Sequence, residues 1–330
     1  MKIRFITAAM VVLAATAACG GTTAVESAAS TAGGTTSVVN CGQRLSVAAP
    51  PQRAITLEQN ATEILLSLGL ADRMVGTSYQ TDPVQPALAD DYRSVPVLAK
   101  LYPSRESVLQ ARPDFLYSTF TSAYAGDAAG PRAEHAKVGI PAYLSPFACE
   151  KPADGHASMS FEGLFAEIRE VATLFGVADR GTSLVAAQQK RLDAAVQSAA
   201  VPQGTTALWY YSGTSTPYVA GQNGVPAAIS TLLGLENVYA DATQTWPAGS
   251  WETIATRDPD VIVLADLTRG GDGDSAESKI RYLRQNPATA KLTAVREGRF
   301  VTVSGSSMDP SIRSVEAVEQ VGSGLRTVLR

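Results

Sequence analysis

Residues 250–264, "SWETIATRDPDVIVL", place a Ser where a helix N-cap belongs and a Glu in the first turn, then run through Pro-Asp into an apolar strand. Residues 104–118, "SRESVLQARPDFLYS", follow the same plan 146 positions earlier: S-x-E, Pro-Asp at the same offset, then a strand. Taken singly, each Glu is explained by the helix dipole and each Ser by capping, worth ~1 kcal/mol. Written twice in one register, the phrase marks one strand-and-helix plan used twice.

Working outward, apolar runs alternate with helical periodicity from Arg44 onward, the pattern of an α/β chain. Strands are predicted at 54–57, 74–78, 114–118 and 141–145 in the first half, and at 206–211, 238–241, 261–265 and 300–304 in the second. The helix "ATEILLSLGL" (61–70) is echoed by "AAISTLLGL" (227–235). Between the halves, "SFEGLFAEIREVATLFGV" and the stretch from Ala178 to Ala200 read as two successive helices, ended by "VPQG". The expected architecture is two lobes, 44–160 and 204–330, each with a mostly parallel sheet flanked by helices, joined by a helical spacer over 161–203.

Lys2 and Arg4 precede an apolar run and the small-residue stretch "ATAAC" ending at Cys19. That is an export signal, too short for a stable span. It resembles a bacterial lipoprotein signal (1–18), with lipid on Cys19 and a flexible tether over 19–43, although Thr16 stands where that pattern prefers an aliphatic residue. Removing Lys2 and Arg4 from 27 basic against 31 acidic residues leaves a net charge of about −6, which disfavours nucleic acid and anionic lipid as partners. Outside the cytoplasm thiols tend to pair. Cys41 and Cys149 are then expected as a disulfide, with two buried free thiols as the alternative.

The leader, "ITLEQNATEILLSLGLADRMVG", the paired S-x-E and Pro-Asp phrases, the helical spacer and "GRFVTVSG" before a long helix together resemble the helical-backbone class of ABC-transporter substrate-binding proteins. The resemblance runs from about Arg44 to Arg330. It implies a lipid-anchored monomer on the outer face of the cell membrane that hands a small molecule to a permease driven by a cytoplasmic ATPase. It also implies that Glu106 and Glu252, one per lobe, dock onto permease arginines; two such carboxylates suit a symmetric basic partner. Ferric siderophore is the first expected ligand, with cobalamin or another corrinoid, haem, and an anionic cofactor precursor behind it.

The cleft is expected to be lined by residues just past strand ends, where Tyr79, Tyr102, Tyr117, Phe120, Trp209, Tyr211 and Trp246 gather. Alternation along "ALWYY" sends Tyr210 to the face opposite Trp209 and Tyr211, so at least one of the three is core. Arg269 and Arg313, with Arg132 weaker, are the bases placed for an anionic ligand. No intrinsic cofactor or protein-held metal is expected, since His135, on an apparent solvent face, and His156, in a loop, lack partners at ligand spacing. "GGDGDSAESK" (270–279) matches a variant dinucleotide fingerprint, but Asp272 and Asp274 oppose a pyrophosphate, so a solvated loop is expected. No hydrolase or nucleotide-binding motif supports catalysis. An exported lipoprotein hydrolase is the alternative from another class.

Overall fold

The computed structural model describes residues 30–32, 34–150 and 158–330. The expected signal peptide, Cys19 and His156 lie outside the described residues.

An antiparallel layer opens the described chain: β1 (Ser30–Ala32), β2 (Thr35–Asn40) and β3 (Gln43–Val47). Asn40 pairs with Gln43, leaving Cys41 and Gly42 as a two-residue turn with φ of 52° and 75°. Two successive left-handed residues form the type I′ turn whose twist suits paired strands. The expectation of a flexible tether reaching residue 43 is corrected here. Alternation buries Val38, Leu45 and Val47, and the Asn40 amide donates to the Leu144 carbonyl at 2.8 Å. Cys41 is bonded to Cys149, with Cα atoms 5.2 Å apart.

The first lobe continues with β4 (Ala54–Thr56), α1 (Gln59–Ser67), β5 (Met74–Ser78), α2 (Ala89–Ser94), β6 (Val97–Ala99), α3 (Arg105–Gln110), β7 (Phe115–Ser118), α4 (Arg132–Lys137) and β8 (Ala142–Leu144). Its strands are all parallel, in the order β6-β5-β4-β7-β8. The order reverses between β4 and β7, so the loops after those two strands diverge and leave a crevice. The spacer is α5 (Phe161–Leu174) and α6 (Ala178–Ser198).

The second lobe holds β9 (Thr206–Ser212), β10 (Tyr218–Val219), α7 (Val225–Leu233), β11 (Glu236–Asn237), α8 (Trp251–Arg257), β12 (Val261–Asp266), α9 (Ala276–Gln285), α10 (Thr293–Arg296), β13 (Phe300–Ser304) and α11 (Ser314–Val328). Its sheet runs β10-β9-β12-β13 with β11 added on β9, and is parallel except for β10. The strand predicted at 238–241 is displaced to the two residues of β11. The fold is thus α/β, two lobes with mostly parallel sheets joined by a long helix. At ~1.5 Å per residue, the 21 residues of α6 are long enough to touch both lobes. Arg180 near its start donates to the Gly69 carbonyl at 2.9 Å, and Arg191 pairs with Glu319 of α11 at 2.6 Å.

The repeated phrase does the same work in each lobe. Ser104 and Ser250 cap α3 and α8, accepting from the Ser107 and Thr253 amides at 3.2 and 3.1 Å. Arg112 and Asp258 then turn left-handed, φ 49° and 36°, directly before Pro113 and Pro259, which stops both helices. Asp114 accepts from the Gln52 and Arg53 amides at 2.8 Å each, and Asp260 from the Thr206 amide at 2.8 Å. Each Pro-Asp carboxylate therefore fastens the start of the strand next to its own.

Candidate functional site

A cavity of about 240 Å³ lies between the lobes, lined by the loops that leave the carboxyl ends of both sheets. The first lobe supplies Glu58 and Gln59 after β4, Tyr79 and Thr81 after β5, Tyr102 after β6, and Phe120 and Ser122 after β7. The second supplies Tyr211 from β9, Trp246, Arg269 after β12, and Ser306 and Asp309 after β13. The cavity therefore occupies the crevice at the β4/β7 reversal, where the strand order leaves room for a ligand.

One aromatic pair comes from each lobe. Tyr79 stacks on Tyr102 with centroids 4.6 Å apart and planes 17° from parallel. Tyr79 has φ 50°, an uncommon conformation for a bulky residue and one that marks functional loops more often than packed ones. Tyr211 meets Trp246 at 4.5 Å, and the Arg269 guanidinium lies 5.6 Å from the Tyr211 ring. The loop carrying Tyr79 is fixed by Gln59, whose side-chain oxygen accepts from the Thr81 amide, the Thr81 hydroxyl and the Asp82 amide.

Two carboxyls border the cavity. Glu58 accepts from the Ser118 hydroxyl at 2.6 Å and the Thr119 amide at 2.7 Å. Burial pushes its pKa up to about 7, outweighing those donors. Burial likewise raises Asp309 to about 7, against the opposing pull of hydrogen bonds from Trp246 and Tyr211 and the charge of Arg269. Sequence reasoning missed both acids, together with Gln59 and Ser306. The signal was present, since each stands a few residues past a predicted strand, but only aromatic and basic residues were sought there.

Of the predicted lining residues, the structure brings Tyr79, Tyr102, Phe120, Tyr211, Trp246 and Arg269 into this one cavity. Others are corrected. Tyr117 and Trp209 are wholly buried, the first donating to Glu167 at 2.7 Å and the second to the Ser230 hydroxyl at 2.9 Å. Both belong to core strands whose inward face is apolar. Arg313 is also buried, its guanidinium forked onto the Glu63 carboxylate and donating to the Pro83 carbonyl at 2.7 Å. It ties the lobes together beneath the cleft, beside the Ser306 amide that donates to Asp82 at 2.7 Å and Gln85 that donates to Glu316 at 2.9 Å. Arg132 donates to the Ala142 carbonyl at 2.8 Å and to Asn40.

His135 does not face solvent: it is fully buried, its Nε2 2.8 Å from the Ala129 carbonyl, and burial lowers its pKa. The Gly-Asp loop is not a solvated one throughout, because Asp274 is buried, accepting from Arg269 at 2.8 Å and the Gly271 amide at 2.7 Å. No cluster of three or more His, Cys, Asp or Glu capable of holding a metal ion occurs among the described residues. Glu106 and Glu252 lie in the first turns of α3 and α8, both exposed. Neither side chain forms an ion pair among the described residues.

This geometry agrees with comparisons to known proteins. A vitamin B12-binding protein of Vibrio campbellii is 25% identical over 230 residues, covering 70% of this chain and 76% of that protein. Among solved structures, a periplasmic binding protein of Veillonella parvula superposes with a TM-score of 0.77 at 27% identity, covering 88% of this chain and 97% of that one. An ABC-type Fe3+-hydroxamate transport system protein of Saccharomonospora viridis shares the fold, with a TM-score of 0.73 at 23% identity over 87% of this chain and 98% of that one. The periplasmic binding protein family model matches residues 55–305. With two lobes, a linking helix, a cleft at the strand carboxyl ends and that match over most of its length, the chain belongs to the periplasmic binding protein family.

Proposed function

We propose that this protein is the extracytoplasmic receptor of an ABC importer, tethered to the membrane by lipid on Cys19, and that it captures a ferric-siderophore-type chelate in the interlobe cavity. The observation that carries this reading is the convergence of an aromatic pair from each lobe, Tyr79 with Tyr102 and Tyr211 with Trp246, on one cavity. Rigid aromatic surface binds large, flat or greasy molecules at little entropic cost. Delivery runs through Glu106 and Glu252 to a permease and its cytoplasmic ATPase. The relatives are binding proteins, and the cavity is read here as one that holds its ligand without transforming it.

A corrinoid is the second reading, favoured by the vitamin B12-binding relative. At about 240 Å³ the cavity is smaller than the ~300 Å³ and upward of pockets that enclose drug-sized ligands, so either ligand leaves part of itself in the open cleft, the bulkier corrinoid more of it. A larger ligand must leave most of itself in the open cleft or separate the lobes, which the Arg313 and Asp82 bridges resist. An anionic cofactor precursor and a hydrolytic role have no comparable observation behind them. Substituting Trp246→Ala tests the reading. Chelate affinity falls at least ~10-fold if Trp246 is a central contact, whereas unchanged affinity removes the ligand from this cavity.

A further inference from the structure

The charges around the cavity constrain the ligand more sharply than the aromatics do. One acid comes from each lobe, Glu58 and Asp309, with relative exposures of 1% and 9%. Among the described residues that line the cavity, Arg269 is the one base, and its charge is committed to Asp274 at 2.8 Å. Arg313, the other base at this end of the second lobe, is locked onto Glu63. Beside Arg269, whose charge also reaches Asp309, the titratable groups that interact with the two acids are Tyr102, Tyr117, Tyr124, Tyr211, Asp82 and Glu167, none of them cationic. Ser306, 5% exposed, lines the cavity with a hydroxyl that has no hydrogen-bond partner among the described residues.

Resting on the receptor reading, we infer that the cavity selects a chelate of zero or positive net charge, drawing its N–H, O–H or ammonium donors toward the charge of Glu58 and Asp309, and rejects anionic chelates. This departs from the anionic ligand that Arg269 and Arg313 suggested in the sequence. An anion entering the site meets two buried acids whose ionised forms repel it and whose neutral forms give it only hydrogen bonds; no free cation offsets the desolvation. An ammonium group instead draws both acids into their ionised form and gains charge-assisted hydrogen bonds.

The test titrates the intrinsic tryptophan fluorescence of the intact wild-type protein, to which Trp209, Trp246 and Trp251 contribute, at neutral pH with three ferric chelates of similar size: an uncharged trihydroxamate, the same chelate with a pendant ammonium, and a trianionic tris-catecholate. The first two are expected to bind at least ~10-fold tighter than the trianion, a difference within reach of electrostatic discrimination. Asp309→Asn should weaken the ammonium chelate ~10-fold relative to the uncharged one. Glu58→Gln should do the same, and because Glu58 also orders Thr119, the wild-type ranking and Asp309→Asn stand independently of it. Tightest binding of the trianion, or a ranking unmoved by Asp309→Asn, overturns the charge inference and leaves the receptor reading standing. Failure of all three chelates to bind overturns both.

Discussion

At the scale of single residues, the clearest distinction lies between aromatics that line the cavity and aromatics that support it. Trp246→Ala removes a lining surface, whereas Tyr117→Phe removes a buried hydroxyl that satisfies Glu167. The second change is expected to cost about 1–3 kcal/mol of stability with chelate affinity unaltered within twofold, as paired denaturation and titration curves would show. Glu167 carries a second prediction. Burial raises its pKa from 4.5 to about 7, partly opposed by the Tyr117 and Ser145 hydroxyls. Between those two values the folded chain keeps a proton that the unfolded chain has lost. Stability therefore declines as pH rises through that window, is greatest below it, and bears the full penalty above about 7, on the order of 3 kcal/mol. Glu58 and Asp309 act in the same direction. Glu167→Gln should flatten the fall in urea midpoint between pH ~5 and ~7; an unchanged slope would show that Glu167 is ionised in the fold. Residue roles were only half legible in the sequence. Alternation along "ALWYY" sorted faces correctly but could not say which face looks at the cleft, and nothing local revealed that Arg313 would meet Glu63 across 250 positions.

At the scale of elements, the long periodic segments were readable because their apolar spacing is strong. α1, α5, α6, α7 and α11 stand where the pattern put them, and so do the core strands β5, β7, β9, β12 and β13. The three-residue β4 and β8 also stand where they were predicted, but other short pieces were not readable. β6, β10 and β11 have two or three residues each and are held by neighbours rather than by their own pattern. The β2–β3 hairpin was missed for a different reason. Its Thr- and Ser-rich first strand resembles tether composition, and the Cys-Gly turn was weighed for its thiol rather than for its two left-handed residues. That hairpin gives an element-scale prediction. Replacing Cys41 and Cys149 together by Ser opens a crosslink spanning 108 residues and should lower stability by about 5 kcal/mol in the chain-entropy account. Asn40 still binds Leu144, so the hairpin should remain docked and ligand affinity unchanged. Loss of binding in that variant would place the hairpin in the site's own support.

At the scale of the whole molecule, one plan used twice produces a cleft between two lobes that are bridged in two places. α6 runs alongside both, and the Glu63–Arg313 pair is buried where they meet. Breaking that pair by Arg313→Ala leaves a buried carboxylate unmatched and should cost about 3–5 kcal/mol, measured by denaturation of the full chain. The twinned Glu106 and Glu252 belong to this scale as well, because neither has structural work beyond the first turn of its helix. Replacing both by Ala should leave ligand affinity within twofold while transport in reconstituted membranes is lost. A collapse of affinity would remove them from the permease face.

Everything above turns on the interlobe cavity capturing a small chelate and returning it unaltered. The sharpest test is a calorimetric titration of the wild-type protein and of Tyr211→Ala/Trp246→Ala with uncharged ferric trihydroxamate and with a corrinoid, followed by mass analysis of the recovered ligand. The account requires saturable one-to-one binding by the wild type, its loss in the double variant, and recovery of the ligand intact. Turnover of the ligand, or binding that survives loss of both aromatics, would contradict it.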